Sequence, residues 1–223
     1  MNVSVVQFPG TNCEHDTRYA FEKLGANVEI VWHKETSFTE NTDLVVIAGG
    51  FSYGDYLRSG AIARFAPIMQ AVSAHAAIGG KVLGICNGFQ VLTESGLLPG
   101  ALKRNEGLHF ISKHHHLKVA NTSNVFLSKL SINDVVNIPI AHHDGNYYID
   151  ENAKKGLYDN EQVLLHYSDE NGSICNPNGS VDAIAGVCNK EKNVFGLMPH
   201  PERAMESILS SDDGVKMLEG FFA

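Results

Sequence analysis

The pentad Gly84-Ile85-Cys86-Asn87-Gly88 holds a cysteine between small residues, at the end of an apolar stretch from Lys81 to Ile85. This is the spacing of a nucleophile elbow, in which small flanking residues let the chain turn sharply from strand to helix and push the central side chain outward. A thiol at a helix N-terminus gains thiolate character from exposed backbone N–H groups and the helix dipole, and a nearby imidazole adds to it. Much later, after a second apolar stretch, comes His200-Pro201-Glu202. With Cys86 as nucleophile, His200 as base and Glu202 as the acid that orients the imidazole, the residues of a thiol triad are present. Singly, each has a plainer use: a small core residue, a turn histidine, a helix-start acid. Together they are what covalent catalysis requires.

A third segment, Ala48-Gly49-Gly50-Phe51, directly follows the strand-like Leu44 to Ile47. Glycines there allow close approach of backbone to a ligand, and the N–H groups of Gly50 and Asn87 can form an oxyanion hole. Histidine is dense at His114-His115-His116 and at His142-His143-Asp144. Adjacent strand residues point to opposite faces and no Cys or carboxylate has ligand spacing to the first run, so it reads as an exposed surface segment and no metal site is expected. The second run lies in a turn that can reach the same rim, which keeps His142 or His143 as an alternative base. Cys13, Cys175 and Cys188 form no CxxC pair and read as structural.

Positioning these groups takes an α/β framework. Val3 to Phe8, Asn27 to Trp32, Leu44 to Ala48, Val82 to Ile85 and Val194 to Met198 read as buried strands. Glu14 to Leu24, Gly60 to Ile78 (interrupted at Pro67), Gly88 to Ser95 and Asp213 to Phe222 read as helices, and Pro201 is placed to start another through Ala204 to Leu209. This alternation predicts a parallel sheet covered by helices on both faces. Leu117 to Ala120, Val125 to Leu127, Asp134 to Ile138, Val163 to Tyr167 and Ala183 to Val187 predict an antiparallel segment, with a turn at Asn176-Pro177-Asn178-Gly179. In open α/β sheets ligands sit at the carboxyl ends of parallel strands, where Cys86 and His200 both fall.

Of 223 residues, 43% are hydrophobic and 19% charged, ordinary for a globular chain with a filled core. No linker or repeat divides the sequence, so residues 1–223 are expected to form a single domain. A net charge of −8 argues against a nucleic-acid surface. No apolar run is long enough for a membrane span and the N-terminus lacks a signal peptide's pattern, so a cytoplasmic protein is expected. No phosphate-loop motif is present, so an ATP-driven step would need another protein.

Gly49-Gly50-Phe51, Gly84-Ile85-Cys86-Asn87-Gly88-Phe89-Gln90 and Pro199-His200-Pro201-Glu202 resemble the signature segments of class I glutamine amidotransferase domains, nearly over the whole chain. Within that family, Phe8 to Cys13, Gly50 to Ala61 and Asn176 to Ser180 resemble the glutaminase subunits that serve phosphoribosylformylglycinamidine synthases, the Tyr53 to Ala61 loop being the most discriminating. The resemblance implies a single-domain, flavodoxin-like α/β fold with a mostly parallel central sheet. It also implies that Cys86 attacks the glutamine side-chain amide, His200 carries the proton to ammonia and Glu202 orients His200. By the same likeness Gly50 and Asn87 stabilise the oxyanion, while Phe51 and Gln90 line the glutamine pocket. Ammonia would pass to a large synthetase subunit that uses ATP and Mg, generally with a small third subunit; no cofactor is implied in this chain itself. Where this branch commonly has His-Gly-Glu-Gly, the chain has His142-His143-Asp144-Gly145. Two rival readings are a glutaminase for another synthetase or a stand-alone cysteine hydrolase, against which the Tyr53 to Ala61 loop speaks, and an idle binding scaffold, which would be expected to show a broken triad.

Overall fold

Apolar runs become strands, and the order of those strands across the sheet decides what meets at the site. The computed structural model describes residues 1–39 and 41–222. Strands β1 (Asn2–Gln7), β2 (Asn27–Trp32), β3 (Leu44–Ile47) and β4 (Lys81–Ile85) precede the elbow. Following it are β5 (Ala101–Lys103), β6 (Ile111–Val119), β7 (Val135–His142), β8 (Asn146–Tyr148), β9 (Val163–Ser168), β10 (Ile184–Cys188) and β11 (Val194–Leu197). The helices are α1 (Glu14–Lys23), α2 (Ile68–Ala77), α3 (Asn87–Glu94), α4 (Glu151–Asp159) and α5 (Asp213–Glu219).

Among the described residues, nine strands form one sheet in the order β2-β1-β3-β4-β11-β10-β9-β6-β7, and β5 pairs with β8 in a separate ribbon. From β2 to β11 the pairings are parallel, and from β11 to β7 they are antiparallel. The parallel block with an antiparallel extension is the expected architecture. β3 is buried along its whole length, as a strand covered on both faces must be. β7 instead alternates buried and half-buried residues, the period-two pattern of a strand with one covered face. No described helix is long and apolar enough to cross a membrane.

Four local expectations are corrected. Val125 to Leu127 is a turn, because the side-chain carbonyls of Asn121 and Asn124 take the N–H groups of Ser123 and Leu127 before a ladder can form. The expected helix from Gly60 is only a 3₁₀ turn, Ala63–Phe65, before α2, since pre-proline Ala66 adopts an extended conformation. After His200 two separate 3₁₀ turns, Pro201–Arg203 and Ser207–Leu209, replace the helix, and Ala204 between them is non-helical with its carbonyl taken by the Gly214 N–H at 2.9 Å. The His114–His116 run lies inside β6 and is not simply exposed: His115 is buried, bonded to the Cys175 carbonyl at 2.9 Å and set edge-on to Tyr167.

Candidate active site

Adjacent parallel strands carry the expected site residues to one rim. Ile47 pairs with Gly84, and Ile85 pairs with Leu197, so the chain leaving β3, β4 and β11 delivers Gly49-Gly50, Cys86 and His200 side by side. The antiparallel extension folds back onto this rim. His200 N–H donates to the Pro139 carbonyl at 2.8 Å, and the Cys86 thiol points to the Ala141 carbonyl at 3.6 Å, so β7 closes the site from the other side.

Cys86 is the residue before α3 and has φ 50° and ψ −105°, a left-handed conformation costly for a residue with a Cβ. The flanking glycines explain how it is held. A Cβ on Gly88 would lie 1.9 Å from the Ile47 carbonyl oxygen, and one on Gly84 would lie 2.6 Å from Leu92 Cδ1 and 2.7 Å from Gly88. The helix therefore enters directly against β3, fixing the thiol relative to Gly50. Gly88→Ala is expected to destabilise the chain by about 1–3 kcal/mol through this overlap. Gly156→Ala, at an open position inside α4, should gain about 0.5–1 kcal/mol. Urea denaturation of both variants checks the contrast.

His200 and Glu202 are buried, 1% and 3% exposed, and His200 Nδ1 donates to Glu202 Oε1 at 2.6 Å. Among the described residues, Nε2 has no hydrogen-bond partner. Burial works against an imidazolium here, but the Glu202 carboxylate and the Cys86 and Cys13 sulfurs outweigh it and raise the His200 pKa well above its ordinary value. Such an imidazole keeps a proton it receives and can hand it to a leaving group.

The alternative bases fare differently. His142 is buried with Nδ1 bonded to Asn105 Oδ1 at 3.1 Å, and its pKa is pushed down to about 4, first by burial and then by His200. Among the described residues it has no carboxylate partner, and its lowered basicity disfavours it as the base. His143 is half-buried beside Asp144, 3.7 Å from ring nitrogen to carboxylate.

Gly50 has φ 141°, and a Cβ there would lie 2.6 Å from the Asn12 nitrogen, so glycine is required. The N–H groups of Gly50 and Asn87 have no acceptor among the described residues and remain available to an oxyanion. Phe51 is 43% exposed at the rim. Gln90, by contrast, is built into the wall: Asn87 Nδ2 donates to its Oε1 at 2.8 Å and its Nε2 donates to the Asp144 carbonyl at 2.7 Å. Asn87 Oδ1 in turn accepts from the Ser52 N–H at 3.0 Å, tying the loop after the double glycine to α3.

The shorter acid of the His142-His143-Asp144-Gly145 turn is accommodated by Ser59, whose hydroxyl donates to Asp144 Oδ2 at 3.0 Å. Asp55 and Ser59, inside the Tyr53 to Ala61 loop, and Asn105 thus belong to the site's surroundings without having been named as site residues, and Cys13, read from the sequence as structural, lies there too, because it follows β1 and β1 is the neighbour of β3. Burial first, and the Asp144 charge second, raise the Asp55 carboxyl to about 6. The folded chain holds this proton more tightly than the unfolded one, so the contribution to stability is full below pH 3.8 and is lost as pH rises through about 6. Asp55→Asn should therefore raise Tm near pH 7.5 by about 2–4 °C, allowing for partial solvation, and leave it unchanged near pH 4. Asn tolerates the φ of 54° at this position as Asp does. Thermal melts at the two pH values test the sign.

A nucleophile elbow, a buried His–Glu pair and two backbone N–H groups free of acceptors among the described residues meet on the rim of this sheet. Residues 1–215 match the CobB/CobQ-like glutamine amidotransferase domain family, and the chain belongs to that family. It is 72% identical over 221 residues, covering 99% of both chains, to the phosphoribosylformylglycinamidine synthase subunit PurQ of Sulfurimonas denitrificans. Identity to the protein of that name from Campylobacter jejuni is 56%, over 99% of this chain and 96% of the relative. The structure of PurLQS from Thermotoga maritima contains a chain that superposes with a TM-score of 0.89 at 39% identity, covering 99% of this chain and 97% of that one.

Proposed function

We propose that this chain is the glutaminase subunit of a phosphoribosylformylglycinamidine synthase. His200 takes the Cys86 proton as sulfur adds to the glutamine side-chain carbonyl carbon, and the oxyanion is held by the Gly50 and Asn87 N–H groups. Collapse of the adduct breaks the C–N bond; ammonia leaves with the proton from His200, and a γ-glutamyl thioester remains on Cys86. Water, deprotonated by His200, then releases glutamate and restores the thiol. Glu202 keeps the imidazole in one tautomer throughout. Phe51 borders the glutamine pocket, and Gln90 shapes it through Asn87 and Asp144. Residues 1–223 act as one amidotransferase domain in the cytoplasm.

Ammonia passes to a separate large synthetase subunit, using ATP and Mg, that converts formylglycinamide ribonucleotide to formylglycinamidine ribonucleotide, with a small third subunit in the assembly. The observation that carries the chemistry is the 2.6 Å His200–Glu202 bond, buried beside an elbow cysteine. The high identity to proteins of the PurQ name carries the choice of pathway. Exposed Tyr56 and Leu57, at 74% and 90%, give the loop after the double glycine an apolar face suited to a partner. Glutamine hydrolysis should be weak for the chain alone and strongly stimulated by the synthetase subunits with ATP and formylglycinamide ribonucleotide. Vigorous partner-independent turnover would mean a stand-alone hydrolase, and silence in every mixture another partner or an idle scaffold.

A further inference from the structure

Arg203 directly follows the buried His200–Glu202 pair, in the 3₁₀ turn Pro201–Arg203, and its N–H closes that turn on the His200 carbonyl at 3.1 Å. Its side chain leaves the turn toward the start of α1. Nε donates to Asp16 Oδ2 at 3.0 Å, and Nη2 donates to Cys13 Sγ at 3.0 Å. That sulfur is fixed by donating to Asn12 Oδ1 at 3.1 Å, while the N–H groups of Asn12 and Cys13 hold the Gly49 carbonyl at 3.4 and 3.2 Å. On its other side the sulfur meets the pair itself. Cys13 Sγ, a ring nitrogen of His200 and a carboxylate oxygen of Glu202 all lie within 4.8 Å of one another. One sulfur atom therefore stands between the guanidinium and the buried carboxylate.

We propose that Arg203, held by the Cys13 sulfur, is a positioning residue whose fixed positive charge keeps Glu202 ionised while His200 is neutral and eases transfer of the His200 proton to ammonia. Glu202 is buried, and its Oε2 has no partner among the described residues. A carboxylate out of water stays charged only beside a compensating charge. The imidazolium supplies one until it hands its proton on; the guanidinium, which does not titrate at working pH, supplies one throughout. The same charge repels an imidazolium, so His200 holds its proton less tightly than Glu202 alone would make it. Burial raises the Cys13 thiol above its ordinary range, so the sulfur stays neutral and does not cancel the guanidinium. The other titratable groups packed around this turn do not replace Arg203. Cys86 on the elbow is the source of the proton, His142 of β7 is neutral near pH 7, and Asp213 of α5 is turned to the Asn137 N–H. On α1, Glu14 bonds Gln7, and half-exposed Asp16 takes the far side of the guanidinium. Delivery to ammonia rests on the function proposed above, whereas the effect of the charge on His200 does not.

The test is the pH profile of glutamine hydrolysis by the assembled complex, read beside an NMR titration of the purified chain. Arg203→Gln should lower kcat/KM by about tenfold and move its alkaline limb to higher pH by about 0.5–1 unit, because the imidazolium is no longer opposed. Damage to packing alone would weaken the His200–Glu202 contact and leave the limb in place or move it down. Arg203→Lys, which keeps the charge, should return the limb toward its wild-type position. Arg18→Gln removes an exposed arginine paired with Glu22 on α1 and should leave the profile unchanged. Cys13→Val removes the sulfur that holds the guanidinium; it should give part of the shift and add nothing to Arg203→Gln. The His200 ring signal, assigned by its loss in His200→Asn, should titrate at higher pH in Arg203→Gln by the same amount, with no glutamine present. An unmoved or lowered His200 midpoint in Arg203→Gln would overturn the proposal, as would Arg203→Lys behaving like Arg203→Gln. If Arg203→Gln does not fold, the midpoint in Cys13→Val decides in the same way. A raised midpoint in a chain that hydrolyses glutamine in no mixture would instead overturn the proposed function and leave the role of the Arg203 charge standing.

Discussion

Cys86→Ala is expected to lower glutamine hydrolysis by on the order of 10⁴-fold or more, the scale on which removal of a covalent nucleophile acts. No other group can replace it: Cys13 lies off the elbow, outside the strained turn that aims Cys86 beside the Gly50 and Asn87 N–H groups. The variant should fold normally, because an alanine methyl fits wherever the Cys86 Cβ already sits. Glutamine-dependent synthesis by the assembled complex should fall with hydrolysis. Synthesis from added ammonia should continue, since ammonia is the only product the partner needs from this chain. Parallel assays of the reconstituted complex with glutamine and with ammonium chloride separate the two reactions. Loss of both would show that the chain also shapes the synthetase site, and retention of both would remove Cys86 from the chemistry.

What the sequence makes legible follows from how local each cause is. The elbow could be read because its reason is short-range: Gly84 and Gly88 flank Cys86, and their hydrogens are what allow contact with Leu92 and Ile47. The continuous apolar runs of β3 and β4 could be read because both faces are covered. α4 escaped notice because it is mostly polar and only Leu157 is buried; its start is set by Asp150 accepting from the N–H groups of Asn152 and Ala153. The short β5–β8 ribbon depends on pairing between residues 43 or more positions apart in sequence, which no local pattern announces. Likewise His115 is buried only because Tyr167 and Cys175 arrive from β9 and beyond. Gln90's engagement with Asp144 depends on the fold-back of the antiparallel extension, a tertiary event that neither segment encodes alone.

His200→Ala and Glu202→Ala should differ in both size and pH dependence. Among the described residues, His200 is the only imidazole at the rim with a carboxylate partner inside hydrogen-bond distance, so its removal deletes the proton carrier for thioester formation and for hydrolysis. A loss of about 10³–10⁴-fold in kcat/KM is expected. Activity equal to wild type would pass the role to His142 or His143, although the weak basicity of His142 argues otherwise. Glu202→Ala leaves the carrier in place but frees its tautomer and orientation, and a loss of about 10²-fold is expected. Burial opposes the imidazolium and the Glu202 charge is the largest effect favouring it, so without that charge His200 releases its proton at lower pH. The alkaline limb of the kcat/KM profile, where the imidazolium proton is lost, should therefore move to lower pH in Glu202→Ala and Glu202→Gln. A purely structural role for Glu202 would lower the rate without moving that limb. Recording the profile of both variants from pH 5 to 10 distinguishes electrostatic orientation of His200 from packing alone.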